Sequence, residues 1–211
     1  MSGSVRIKIC GIRTPDQARA AVDAGADLIG LNFVPGSPRF LDIKQAEAIC
    51  EAVSETEVER VALFRDANWD QIDNVLRRVD VTRVQFHGDE TEEDLEAIDL
   101  PAIKAIRGAD QEAAETYPGA ILLLDHPHQG GGQGQAWDWK EAEDLIAHGY
   151  DVIVAGGLNP ENVEAALEDV GSVAPWGVDV ATGVEGPDFN KDPGLMKAFV
   201  EAVRRYEREE G

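Results

Sequence analysis

The sequence predicts an α/β protein that forms a single (β/α)8 barrel, or TIM barrel, over residues 1–211, and three observations support this fold class. Short apolar runs alternate with amphipathic segments along the whole chain, in eight strand–helix units. This alternation implies parallel strands joined by right-handed crossovers. Eight units in about 200 residues match the lower size limit of a closed barrel. The glycine pairs come late, whereas an open doubly wound sheet places its phosphate loop after the first strand.

The predicted strands are apolar runs bounded by turn residues. In chain order they are Val5–Ile9, Asp27–Phe33, Arg60–Phe64, Thr82–His87, Ala102–Ile106, Ala120–Asp125, Val152–Val154 and Val173–Val180. The predicted helices are Pro15–Ala24, Ile43–Val53, Trp69–Val79, Glu92–Ile98, Asp110–Thr116, Trp139–His148, Pro160–Val170 and Pro193–Glu209. Thr14-Pro15 and Asn159-Pro160 each place a capping side chain before a proline at the first helical position. Gly25 and Gly149 follow helices, where a left-handed residue is favoured.

The charge and the cysteine content restrict the partners and the setting. Asp and Glu total 41 against 19 Lys and Arg, a net charge of −22, so phosphate repulsion argues against nucleic acid as a partner. No apolar run reaches the ~18 residues of a membrane span, and the start has no secretion signal. Two cysteines do not make a disulfide framework, which favours a cytoplasmic protein. The acidic excess is spread along the chain and lysine is scarce, which predicts a halophilic, salt-rich setting.

Polar residues stand at the ends of the predicted strands, where a barrel of this kind carries its catalytic groups. In chain order these ends are Cys10, Asn32, Arg65-Asp66, His87, Arg107, Asp125, Gly156-Gly157 and Asp179. Side chains two positions apart share one face of a strand. Lys8 therefore pairs with Cys10, and Gln85 pairs with His87, on the face that points to the barrel axis. Inward polar groups are costly without partners, so together they indicate a site.

Each of these residues also has a purely structural interpretation. Cys10 alone is consistent with core packing, and His87 with a histidine bonded to a loop carbonyl. Asp125 and Asp179 are residue types that cap loops and helix starts. His126 and His128 form an H-x-H pattern in a glycine-rich stretch with no third ligand, which favours a surface loop over a metal site. Cys50 falls at helical spacing from apolar neighbours and is predicted to lie in the core.

Two glycine turns follow the seventh and eighth strands. "AGGLNPENV" places Gly156, Gly157 and Leu158 directly before a capped helix, and "GVDVATGVEG" adds the turn Ala181-Thr182-Gly183. Free backbone amides and a helix dipole favour an anion, and a one-turn helix after the eighth strand would complete a phosphate site. The alternative is that both are ordinary tight connections between a strand and a helix.

Seven motifs, in this order, resemble those of the phosphoribosylanthranilate isomerase family of tryptophan biosynthesis: "KICGIRTPDQA", "LNFVPGSPRFL", "VQFHG", "ILLLD", "GGGQGQAWDW", "AGGLNPENV" and "GVDVATGVEG". The resemblance runs from Lys8 to the last helix. It implies a (β/α)8 barrel without metal or cofactor. The implied reaction is the Amadori rearrangement of N-(5-phosphoribosyl)anthranilate to 1-(2-carboxyphenylamino)-1-deoxyribulose 5-phosphate. The partner it implies is this small phosphosugar–anthranilate substrate, and the chain is expected to be a monomer or a homodimer.

The resemblance also assigns roles to individual residues. Cys10 falls on the family's base, Asp125 on its acid, and Arg39 on its anthranilate-binding arginine. Asp179 falls on an aspartate that binds a ribulose hydroxyl. Gln85 and His87 match the Q-x-H-G motif and are expected to contact substrate. The phosphate-binding residues that the resemblance implies are Gly156, Gly157, Leu158, Ala181, Thr182 and Gly183.

Two departures from the family pattern concern substrate binding. Ala181 and Thr182 stand where the family often has two serines, so a side-chain bond at Ala181 is lost. The stretch "GGGQGQ" lacks a lysine that the family often carries in the loop after the sixth strand.

Several alternatives stay open at this point. A histidine-pathway aminoaldose isomerase runs the same chemistry but usually has aspartate at the position of Cys10. A metal-dependent epimerase fits poorly with Asn32 and the late glycine pair, and a non-catalytic phosphosugar-binding barrel would need only the glycine turns. The alternative for Arg39 is a surface residue paired with Asp42. Lys8, facing inward, is a candidate to favour the thiolate of Cys10.

Overall fold

The computed structural model describes residues 4–125, 138–171 and 173–210. Eight parallel strands in these residues form a closed barrel in chain order, which confirms the predicted fold class. The strands are β1 Arg6–Cys10, β2 Leu28–Asn32, β3 Glu59–Phe64, β4 Arg83–Phe86, β5 Ala102–Arg107, β6 Ile121–Asp125, β7 Val152–Val154 and β8 Gly177–Val180. Pairing of β1 with both β2 and β8 closes the ring. His126, His128 and the stretch 130–135 lie outside the described residues.

The α-helices alternate with the strands around the barrel. Their bounds are α1 Pro15–Ala24, α2 Ile43–Ala52, α3 Trp69–Leu76, α4 Glu92–Glu96, α5 Gln111–Thr116, α6 Ala142–Ala147, α7 Val163–Asp169 and α8 Pro193–Glu210. The hydroxyl of Thr14 caps α1 by accepting a bond from the amide of Gln17, as predicted. Gly25 and Gly149 both take the left-handed conformation after their helices. No helix in the described part of the chain has the length and apolar character to cross a bilayer.

The predicted starts of β8 and α7 are wrong. β8 begins at Gly177 and not at Val173, whose side chain is 52% exposed. Gly177 lies so close to β1 that an added Cβ would come within 2.6 Å of the carbonyl oxygen of Arg6. The first residue of β8 therefore has to be a glycine. α7 begins at Val163, one turn later than predicted. Asn159 nevertheless caps that preceding turn, because its side-chain oxygen accepts bonds from the next two free amides.

The apolar core has two parts, separated by the sheet. A large outer core fills the space between the strands and the helices, and it includes Ile9, Phe86 and Cys50. A smaller inner core fills the barrel itself with side chains such as Leu28 and Ile153. Since Ile9 lies in the outer core, its neighbours on β1 point toward the barrel axis. This arrangement directs the polar residues of the strands inward.

The amino-terminal ends of the strands are closed by an ionic and aromatic cluster. Glu59 accepts a bond of 2.6 Å from Arg6 and another of 2.6 Å from Arg83. Both guanidinium groups lie over the ring of Trp176, at 4.7 and 5.6 Å from its centroid. Burial opposes the charged carboxylate, but the two arginines outweigh it and lower the pKa of Glu59. These contacts give the polar residues at the amino-terminal end of the barrel a structural role.

Candidate active site

Cys10 ends β1 with its side chain buried beside the barrel axis. It is 7% exposed, and Lys8, two residues before it, is 1% exposed. Ile9, between them, packs in the outer core, so the predicted sharing of one face by Lys8 and Cys10 is confirmed. Gly30 lies opposite Cys10 in the register of β2, and an added Cβ there would lie 2.7 Å from the Cys10 Sγ. Gly30 thus makes room for the thiol, a role that no local sequence signal identifies.

The charges around Cys10 oppose one another. Lys8 Nζ donates a bond of 2.8 Å to Asp179 Oδ1, and its positive charge also acts on the thiol of Cys10. Burial disfavours the charged form of Lys8, but Asp179 and Cys10 outweigh it and raise the pKa of Lys8. Burial also raises the pKa of Cys10, against the opposite effect of Lys8. Lys8 therefore favours the thiolate, as the sequence predicts. Burial outweighs this effect, so the net shift in the pKa of Cys10 favours the thiol in the free protein.

Asp125 is held by a chain of hydrogen bonds from β4. His87 Nε2 lies 3.1 Å from Asp125 Oδ2, and Gln85 Nε2 lies 3.3 Å from His87 Nδ1. An amide nitrogen donates, so in this orientation Nδ1 accepts and the proton on Nε2 points to the carboxylate. The Gln85 Oε1 is buried without a hydrogen-bond partner among the described residues. Gln85 and His87 thus orient Asp125, in addition to the substrate contact expected from the sequence.

Arg39 lies at the mouth of the barrel and is only 8% exposed. Its Nε and Nη2 each donate a bond of 2.7 Å to the carboxylate of Glu185, and Nη2 also bonds the hydroxyl of Thr182 at 3.1 Å. The alternative of a surface arginine paired with Asp42 is wrong, because Asp42 caps α2 instead. Gly11, at φ +80°, passes directly under Arg39, where an added Cβ would overlap the arginine Cδ. These three bonds use Nε and Nη2, and no bond of Nη1 is found among the described residues.

Glu185 joins Arg39 to the loop after β8. Lys191 Nζ donates to Glu185 Oε1 at 2.6 Å and to the carbonyl of Ala181 at 2.9 Å, and the lysine side chain is fully buried. Burial opposes the charge on Glu185, but Arg39 and Lys191 outweigh it and lower the pKa of this carboxyl. The same carboxylate therefore fixes both the guanidinium and the turn at Ala181. Sequence reasoning missed this role, because its partner Arg39 lies 146 positions away.

The two glycine turns lie against each other. Gly156 and Gly157 have φ of +79° and +82°, a conformation that strongly favours glycine. The predicted one-turn helix is present as a 3₁₀ helix, Thr182–Val184. A Cβ added at Gly183 would overlap the carbonyl oxygen of Leu158, so glycine is required for this close approach. The approach brings the turns after β7 and β8 together at the mouth.

Other polar strand ends do not join this site. The Asn32 side chain accepts a bond from the amide of Val34 and so shapes its own loop. Arg65 and Arg107 are exposed, and Asp66 accepts a bond from the amide of Asp89. The residues brought together are therefore those of β1, β4, β6 and β8, with the loops that follow β2, β7 and β8.

The fold and the site together define the class: a (β/α)8-barrel enzyme with a thiol, a carboxylate and a buried lysine at the carboxyl ends of its strands. The chain belongs to the N-(5'-phosphoribosyl)anthranilate isomerase family, whose family model, described as N-(5'phosphoribosyl)anthranilate (PRA) isomerase, matches residues 7–202. It is an isomerase of tryptophan biosynthesis.

Curated relatives and solved structures agree with this assignment. The chain is 44% identical to N-(5'-phosphoribosyl)anthranilate isomerase of Pseudomonas fluorescens, over 96% of this chain and 97% of the relative. It is 42% identical to the enzyme of Neisseria meningitidis, over 97% and 99% of the two chains. The crystal structure of the Thermus thermophilus enzyme superposes with a TM-score of 0.85 at 34% identity, covering 95% of this chain and 99% of that one. A phosphoribosyl anthranilate isomerase in complex with reduced 1-(o-carboxyphenylamino)-1-deoxyribulose 5-phosphate gives a TM-score of 0.82 at 32% identity, with the same coverage.

Proposed function

We propose that this isomerase converts N-(5'-phosphoribosyl)anthranilate to 1-(2-carboxyphenylamino)-1-deoxyribulose 5-phosphate, with Cys10 as the base and Asp125 as the acid. One observation carries the proposal: Cys10 on β1 and Asp125 on β6 stand on either side of the two strands that end in the glycine turns. A phosphate bound by those turns leaves the sugar spanning the mouth between the thiol and the carboxylate.

The rearrangement needs two kinds of proton transfer. Asp125 donates a proton to the ring oxygen, the C1–O bond breaks, and the nitrogen lone pair forms the open-chain iminium. The Cys10 thiolate then removes the proton from C2, which gives an enolamine. The enolamine gains a proton at C1 and loses the hydroxyl proton at C2 to become the ketone. Every step is an acid or base step, so this scheme involves neither a metal nor a cofactor.

The remaining predicted site residues have binding roles in this proposal. The amides of the two turns, Gly156–Leu158 and Ala181–Gly183, bind the phosphate. Asp179 binds a ribulose hydroxyl through Oδ2, since Lys8 bonds its Oδ1. The charge of Lys8 stabilises the thiolate of Cys10 when the substrate excludes water from the mouth.

Turnover of N-(5'-phosphoribosyl)anthranilate, followed by the change in fluorescence, tests the proposed function. The wild-type chain is expected to convert this substrate. A non-catalytic phosphosugar-binding barrel would bind it without turnover. A histidine-pathway aminoaldose isomerase would instead turn over that pathway's aminoaldose, and either result would contradict the proposal.

Arg39→Ala is expected to raise KM for the substrate by about ten- to a hundredfold, with a smaller change in kcat. The Nη1 face binds the anthranilate carboxylate, and a hydrogen bond between charged groups contributes about 1.5–3 kcal/mol. Steady-state kinetics measures the split between KM and kcat. Arg19→Ala, which removes an exposed arginine on α1, is the control and is expected to change neither. An unchanged KM for Arg39→Ala would exclude the assignment.

The high negative charge predicts a strong effect of salt on stability. We propose a salt-rich cytoplasm as the setting, because the chain carries a net charge of −22 and both of its thiols are free. The melting temperature is expected to rise markedly from low to molar salt, since the screening length falls from ~30 Å at 0.01 M to ~3 Å at 1 M. Differential scanning calorimetry measures this rise. A flat melting temperature would refute the halophilic setting and leave the catalytic proposal standing.

A further inference from the structure

Phe189 lies beside the site in a conformation that its own packing does not explain. It ends a short 3₁₀ segment, Pro187–Phe189, in the loop after β8, and 46% of it is exposed. Asp188 and Phe189 have φ of +62° and +57°, in the left-handed region that residues with a Cβ seldom occupy. Strained residues of this kind concentrate where a protein binds or turns over a ligand.

Contacts from Arg13, just before α1, and from Gln17, in its first turn, hold this segment in place. Arg13 Nη1 donates a bond of 2.9 Å to the carbonyl of Asp188, and the side chain of Gln17 bonds that of Asn190 at 3.3 Å. The amide of Gly186 donates to the carbonyl of Asn190 at 2.8 Å and closes the loop on itself. The backbone is thus held by these bonds, and nearly half of Phe189 is left exposed to solvent.

The ring of Phe189 lies against the guanidinium of Arg39. The Cζ of Arg39 is 5.4 Å from the ring centroid, within the range of a cation–π contact. Glu185 and Thr182 occupy Nε and Nη2 of Arg39, so a ligand carboxylate meets Nη1. A benzoate has its carboxylate bonded directly to its ring. Its ring therefore comes close to Phe189 when the carboxylate binds Arg39.

We propose that Phe189 determines specificity for the anthranilate half of the substrate by packing its ring against the anthranilate ring. This inference rests on the proposed function, in which Arg39 binds the anthranilate carboxylate. Aromatic pairs favour offset or edge-to-face packing and contribute beyond the area they bury. The strained backbone presents the ring at the mouth, and the bound ligand covers it.

Calorimetric titration with two probes tests the proposal: the reduced analogue 1-(o-carboxyphenylamino)-1-deoxyribulose 5-phosphate, and inorganic phosphate. Phe189→Gly removes the ring and suits the left-handed backbone. It is expected to raise the Kd for the analogue about three- to tenfold, leave the Kd for phosphate unchanged and not lower the melting temperature. Phe189→Tyr, which keeps an aromatic face, is expected to stay within twofold of the wild type. Trp69→Ala removes a ring of similar exposure, 44%, from α3, and no change is expected.

Two results would overturn the proposed role of Phe189 and leave the proposed function standing. An analogue Kd within twofold of the wild type for Phe189→Gly would show that the ring does not contact the ligand. A parallel loss of affinity for phosphate would show that the substitution displaces the loop and does not act through the ring. Absence of analogue binding by the wild-type protein would instead overturn the proposed function, and the Phe189 proposal with it.

Discussion

Replacing Cys10 with alanine is expected to lower kcat for N-(5'-phosphoribosyl)anthranilate by about 10²–10⁴-fold, the usual contribution of general acid or base catalysis. The substitution removes the atom that takes the proton from C2, yet it removes little buried volume, so the fold and the phosphate affinity are expected to remain. Cys10→Ser is expected to fail as well, because a hydroxyl gives up its proton far less readily than a thiol with a pKa of about 8.5. The fluorescence assay measures the loss, and circular dichroism checks the fold.

Cys50→Ala is the matched control for this substitution. Cys50 is also buried, at 2% exposed, but it lies in the outer core, where burial raises its pKa to about 12. Its loss is expected to leave kcat unchanged. If Cys10→Ala retained more than about a tenth of the wild-type kcat, well above the residual activity expected after loss of a catalytic base, Cys10 would be a core residue without a role in catalysis.

Asp125→Asn is expected to cause a loss of similar size, about 10²–10⁴-fold in kcat. An amide oxygen still accepts the hydrogen bond from His87 Nε2, so the geometry is preserved, but the amide has no acidic proton to give to the ring oxygen. Asp73→Asn, on the surface of α3, is the control and is expected to have no effect. Retention of more than about a tenth of the activity by Asp125→Asn would assign the acid to another group.

The double variant, Cys10→Ala with Asp125→Asn, separates a shared mechanism from two independent effects. Both proton transfers are required for one turnover. The kcat of the double variant is therefore expected to be only slightly lower than that of the less active single variant. Multiplication of the two losses would contradict this, since it would mean that each residue contributes without the other.

The barrel was predictable because hydrophobic periodicity is a local property of the sequence. Eight apolar runs and the helical patterns between them identified each strand and helix, and the parity of Lys8 and Cys10 on β1 followed from the period of two. The boundary at Val173 was wrong because an apolar valine in a loop resembles a strand residue. The close approach of Gly177 to β1, which marks the observed start of the strand, is visible only in the structure.

The partners of the site residues were not predictable from local pattern. Glu185 and Gly30 act on Arg39 and Cys10 from distant parts of the chain, and nothing near them in the sequence indicates it. Phe189 was missed for a related reason. A phenylalanine two residues after a proline gives no sign of a left-handed backbone, and the bond that holds its loop comes from Arg13, far away in the sequence.

The pH dependence of kcat/KM for the wild-type protein tests whether the Cys10 thiolate is the base. This ratio reports the groups of the free enzyme. Burial raises the pKa of Cys10 above the ordinary value, and Lys8, with its pKa also raised, stays charged over the same range. The value of kcat/KM is therefore expected to climb steadily from pH 7 to pH 9 or beyond. The residual activity of Cys10→Ala is expected to show no such rise with pH. This variant distinguishes titration of Cys10 from titration of Lys191, whose pKa is lowered by burial. A profile that is flat or falling between pH 7 and pH 9 would contradict the assignment of Cys10 as the base.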